Sequence, residues 1–285
     1  MRALGMVKHR VSSLLGRTNG ASITLDYPPS ARNEPRWTPH PQLERIIAAD
    51  GDAYAALLGM IHRYREQFSA IPITATHELE PAWVNGFQPG LDAAAIYSFL
   101  RSRSPARYME IGSGWSTKFA RRAIQDGDLP TQITSIDPHP RAEIDQLCDR
   151  VVRSALEATD LALVDELSAG DVLFFDGSHR VFMNSDVTVF FMELLPRLPA
   201  GVLVAIHDTY IPFDYPAEIA DRYYSEQYLL AAYLLAGSER FHTVLPAWYV
   251  SQTERFRPAI ESLWGHDPAL ARVQRHGVAY WIETR

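Results

Sequence analysis

Four short stretches carry the side chains with the widest chemical range, and each follows a run of apolar residues. They are Glu110-Ile-Gly-Ser-Gly-Trp-Ser-Thr117, Asp137-Pro138, Asp176-Gly-Ser-His179 and His207-Asp208. Gly112 and Gly114 let a backbone turn tightly and approach a ligand closely. Ser116 or Thr117 can cap a following helix through its hydroxyl. Asp137 stands 25 residues after Gly112, near the roughly 20-residue offset at which a strand-end acid binds ribose hydroxyls. It also reads as a helix N-cap, with Pro138 next in line. Asp176, His179, His207 and Asp208 are candidate catalytic residues that would converge near the reactive end of a ligand, where a histidine is suited to taking a proton near neutral pH. Two carboxylates and an imidazole could equally hold a divalent metal, or simply tie loops together.

These stretches need a frame. Apolar runs over 108–111, 133–136, 172–175 and 202–206 alternate with helical patterns over 116–126, 140–149 and 184–195. Strands alternating with helices predict a parallel sheet covered on both faces, with ligands at the carboxyl ends of its strands. Runs over 241–250 and 278–282, separated by a helical stretch holding Phe256, Ile260, Leu263 and Trp264, suit an antiparallel edge. The sequence therefore divides into 1–91, an N-terminal arm and helical extension, and 92–285, an α/β domain. In the extension, turn formers fill 18–42 and helical spacing returns over 42–68. A helix over 92–103 begins at Asp92.

Composition narrows the partners. The 285 residues are 47% hydrophobic and carry a net charge of −7. With no basic stripe, nucleic acid and anionic membrane surfaces are not expected partners. No apolar run approaches the roughly 18 residues of a membrane span, and the first 20 residues, with Arg2, Lys8, Arg10 and Arg17, read as a basic helix rather than a signal peptide. A single cysteine, Cys148, fits a reducing compartment and reads as a buried thiol on the inner face of the helix over 140–149. The expected location is cytoplasmic.

The acid at Glu110 would repel a pyrophosphate but could accept hydrogen bonds from a cationic amino-acid group. With an acid for ribose at Asp137, this favours S-adenosylmethionine over a dinucleotide. Over 83–248 the chain resembles class I S-adenosylmethionine-dependent methyltransferases of the bacterial small-molecule and sugar O-methyltransferase group. The strings that carry the likeness are 110–117, Ser135-Ile-Asp-Pro-His139, Leu173-Phe-Phe-Asp-Gly-Ser-His179, Ser185-Asp-Val187, 207–216 and Glu226-Gln-Tyr-Leu-Leu230. The resemblance implies a Rossmann-like, seven-stranded, mostly parallel sheet with helices on both faces. It places Glu110, Gly112, Ser113 and Gly114 by the methionine moiety and Asp137 on the ribose. In metal-dependent relatives, acids matching 176, 207 and 208 bind the ion; here position 207 is histidine. The segment around Trp83-Val-Asn85-Gly-Phe87 resembles the region before the first strand in these enzymes, making 83–91 a lid candidate with Asn85 by the cofactor.

For a small-molecule acceptor, the loop over 211–216 is the favoured wall, beside Tyr210, Tyr223 and Tyr224. Tyr224 and Tyr228 would share a helix face, with Tyr228 and Tyr233 read as core. The N-terminal arm and helices could mediate a homodimer. Two other readings stay open: the same fold with the cofactor bound but different chemistry, and a nicotinamide-dependent oxidoreductase, which the missing third glycine disfavours.

Overall fold

The computed structural model describes residues 25–27, 30, 37–140, 143–237 and 239–285. The expected basic helix over 1–20 and most of the 18–42 arm lie outside the described residues. Seven strands form one sheet in the order β3-β2-β1-β4-β5-β7-β6. They are β1 (Arg107–Ile111), β2 (Gln132–Ile136), β3 (Arg150–Val152), β4 (Val172–Phe175), β5 (Leu203–Ile206), β6 (Phe241–Pro246) and β7 (Tyr280–Thr284). The first five run parallel. β7 enters between β5 and β6, antiparallel to both. Every residue of β4 and β5 is buried, so these strands read as unbroken apolar runs rather than an alternation. Strand order reverses between β1 and β4, where Ile111 pairs with Phe175. A crevice opens at that point on the carboxyl side of the sheet.

The helices are α1 (Pro41–Ala48), α2 (Gly51–His62), α3 (Arg65–Ser69), α4 (Gly90–Arg103), α5 (Trp115–Gly127), α6 (Asp186–Val189), α7 (Glu226–Leu235), α8 (Ala247–Gln252) and α9 (Arg257–Trp264). In α2, Tyr54, Leu58 and Ile61 recur at helical spacing and are all buried, packing this extension onto α4 and α9. Trp83 is 2% exposed, set among Phe68, Phe119 and Trp264. Burying such rings removes more apolar surface per residue than any other side chain. The segment over 83–91 is thus anchored in the core, and of its aromatics only Phe87 is exposed. No helix among the described residues is long and apolar enough to cross a membrane.

Several expectations are corrected. Among the described residues of 140–149, the expected helix is one 3-10 turn, Asp145–Leu147, because Cys148 is already extended on the way into β3. Cys148 is accordingly half-buried after that turn, its thiol donating to the Ile144 carbonyl at 3.3 Å. The run over 241–250 stays a strand only to Pro246, which has no N–H to extend a ladder; α8 follows. The helix over 184–195 is α6 followed by a π turn, Phe190–Leu194. Tyr224 lies before α7, so it shares no helix face with Tyr228. Tyr228 is 50% exposed rather than core, and its hydroxyl donates to Asp214 at 2.5 Å.

Candidate active site

The crevice is built by backbone geometry first. Gly112 sits at φ +79°, and a Cβ there would collide with the Asp176 carbonyl oxygen. Only glycine lets β1 turn off the sheet this close to the end of β4. Gly114, by contrast, faces open space. The Ser113 N–H donates to Asp137 Oδ2 at 2.8 Å and the His139 N–H to Oδ1 at 2.7 Å. Asp137 is thereby fixed with one lone pair on each oxygen left for hydroxyl donors. A cavity of about 400 Å³ lies here, bordered by Gly112, Ser113, Asp137, Pro138, Leu156 and Asp176 among others. Its volume suits a nucleoside-sized ligand.

Glu110 is placed elsewhere. It is fully buried behind the loop, accepting from the Tyr108 hydroxyl at 3.0 Å and from Thr117 Oγ1. Thr117 Oγ1 also accepts the Gly114 N–H at 3.0 Å. Glu110 therefore braces the turn from within and does not border the crevice. Burial pushes its carboxyl up to about 7, against hydrogen bonds from Ser116, Thr117 and Tyr108 that pull it down. Asn85 is likewise spent on its own turn, its amide donating to Ala82 and Gln88 carbonyls and its oxygen accepting from Phe87 and Gln88.

The structure does gather Asp176, His179, His207 and Asp208. His179 Nε2 lies 3.2 Å from Asp176 Oδ1 and 3.4 Å from Asp208 Oδ2. His207 Nδ1 lies 3.5 Å from Asp176 Oδ1 and 3.7 Å from Asp208 Oδ1. Two further acids, not foreseen as site residues, close the far side of each ring. Glu226 Oε1 lies 2.5 Å from His179 Nδ1, and Asp92 Oδ2 lies 3.5 Å from His207 Nε2. Both acids are 0% exposed, and both histidines only 3%. Asp92 is held in turn by the Val278 and Ala279 N–H groups. Backbone strain concentrates here too, since His179 (φ 63°) and Asp208 (φ 52°) are left-handed.

Charge follows from this packing. Burial pushes both imidazoles down, but for His179 the carboxylates of Glu226 and Asp176 outweigh it, and for His207 those of Asp176, Asp92 and Asp208 do. Both rings end well above their ordinary range, as imidazoliums at neutral pH. Burial would raise Asp176, yet the facing His207 and His179 hold it well below the usual carboxylate range. Asp176, His179 and Asp208 could each offer one ligand atom to a metal.

No curated protein matches the sequence. Among solved structures, similar backbones include an O-methyltransferase from Bacillus cereus in complex with SAH, 14% identical over 89% of this chain and 94% of that one, TM-score 0.42. An SAH-bound methyltransferase of Podospora anserina is 13% identical over 93% of this chain and 99% of that one, TM-score 0.41. Residues 109–209 match the family described as a methyltransferase domain. That match runs from β1 through the glycine turn, Asp137 and Asp176 to the His207-Asp208 pair, so the segment that builds the crevice is similar to a methyltransferase domain.

Proposed function

We propose that the chain transfers the methyl group of S-adenosylmethionine to a hydroxyl of a small-molecule acceptor. The observation that carries this is the single crevice that Asp137 and Asp176 border from opposite strands, inside the segment matched to methyltransferases. When bound, the cofactor supplies a methyl group activated on a sulfonium. Asp137 would accept from both ribose hydroxyls, and the turn over 112–114 would border the methionine moiety. The acceptor's proton must leave as the oxygen attacks. The two histidines are shut away and already protonated, so the base is a carboxylate. Asp208 is the better one: it lies 3.4 and 3.7 Å from the two rings, farther than Asp176 at 3.2 and 3.5 Å, so it is the less tightly held of the two. His179 and His207 hold the two acids in place, and this fixed alignment is where most of the rate advantage arises.

Calorimetry tests the reading. Asp137→Ala removes two charge-assisted hydrogen bonds worth together about 3 kcal/mol, so affinity for S-adenosylmethionine falls by roughly 100-fold. Wild-type protein that gives no binding heat rejects the proposal. Mass spectrometry of a turnover mixture must then show the gain of a methyl on the acceptor.

A further inference from the structure

Beside the carboxylate cluster stand two arginines that the proposed chemistry leaves without a role. Arg180 lies with its guanidinium carbon 5.6 Å from the centre of the Tyr224 ring, and Arg222 with its own at 5.8 Å. The same ring is tilted against His179, centroids 4.4 Å apart. Two cations and the site histidine thus meet around one tyrosine. Arg180 donates through Nε to the Arg222 carbonyl at 2.8 Å and through Nη1 to the Ser178 carbonyl at 3.2 Å. Arg222 donates through Nη1 to the Tyr224 hydroxyl at 3.3 Å. Among the described residues neither forms an ion pair, so guanidinium donors on both remain to be filled. Arg222 is exposed, and its guanidinium shares the Tyr224 ring with His179, which puts it at the edge of the site.

The backbone is shaped to bring this about. Tyr223, between Arg222 and Tyr224, is left-handed at φ 56° and 54% exposed. A bulky residue in that conformation is strained. Bonds from Ser225 N–H to the His179 carbonyl and from Val181 N–H to Ser225 Oγ fasten the two loop segments of the rim together. The strain is therefore held between Arg222 and Tyr224, where the Tyr224 ring packs against His179.

We propose that Arg180 and Arg222 form an anion-binding subsite, so that the acceptor carries a carboxylate or phosphate group beside its hydroxyl. This rests on the methyltransferase reading for the word acceptor; the anion site itself does not. An anion approaching Asp176 and Asp208 unaided is repelled, and two guanidiniums beside them reverse that field. A neutral acceptor has no use for them.

The test compares ligands alike in ring and hydroxyl and different in charge: 4-hydroxybenzoate and 4-hydroxybenzamide, titrated by ligand-observed NMR with and without bound SAH. The benzoate is expected to bind at least tenfold more tightly. Arg222→Gln should erase that preference while leaving SAH affinity unchanged, and Arg222→Lys should restore part of it. Arg222 is the decisive position, because Arg180 also braces two carbonyls and its loss could disturb the rim. Equal binding of the two ligands, or an unchanged preference in Arg222→Gln, overturns the proposal. Failure of SAH to bind sinks the methyltransferase reading instead, and leaves the two titrations without SAH to decide the anion site.

Discussion

Glu110→Gln separates a carboxylate that braces the loop from one that touches the ligand. The carboxyl sits fully buried and is raised from 4.5 to about 7. Below its unfolded value it is neutral in both states and costs nothing. As pH rises through 4.5 the unfolded chain ionises first, so stability drains away until the folded group ionises near 7; beyond that the loss is complete. The gap corresponds to about 3 kcal/mol. Glutamine keeps the shape and cannot ionise. Its NH₂ meets a hydroxyl that donates to the native carboxylate, a loss of about 1 kcal/mol that does not vary with pH. Urea unfolding of both proteins should then show the variant gaining about 2.5 kcal/mol on wild type between about pH 5 and about pH 8. Differencing the two curves removes every other titrating group. Parallel curves would refute the burial argument. On the same samples, affinity for S-adenosylmethionine should fall by less than about tenfold, the minimum expected if a direct charge-assisted bond to the ligand were lost.

Gly112→Ala forces a Cβ into the Asp176 carbonyl at positive φ; it should lower stability by at least about 2 kcal/mol and abolish cofactor binding, measured by thermal unfolding and calorimetry. The Cys148 thiol is pushed up to about 12, chiefly by burial. Iodoacetamide at about pH 8 should label it at least 100-fold more slowly in folded protein than in urea, followed by mass spectrometry; equal rates would contradict the placement.

The frame of the fold was open to sequence reading because strands buried on both faces leave an unmistakable trace. β1, β4 and β5 appeared within a residue of their bounds. β3 did not, since it has three residues, none of them buried. Full burial also hides direction. With Tyr108, Met109, Glu110 and Ile111 all buried, no alternation says which way Glu110 points, and it was expected in the crevice rather than behind it. Asp92 and Glu226 were missed as site residues for another reason. Each occupies the first turn of its helix, where an acid is ordinary company for the helix dipole. Only the fold shows that these two are buried against histidines.

That disguise bears on how the centre works. Glu226 and Asp92 stand on helices, outside the strand ends that carry Asp176 and Asp208, and each holds a ring from the rear. Without them, a neutral imidazole could turn either nitrogen to the shared carboxylates. With them, each ring has a carboxyl group facing each of its nitrogens, and these together raise both imidazoles well above their ordinary range, although burial also pushes Glu226 itself up to about 7. The histidines then cannot be the base at neutral pH, although their residue type invites that reading. They are the fixed cations that let two carboxylates sit side by side, and one of those carboxylates is left free to take a proton.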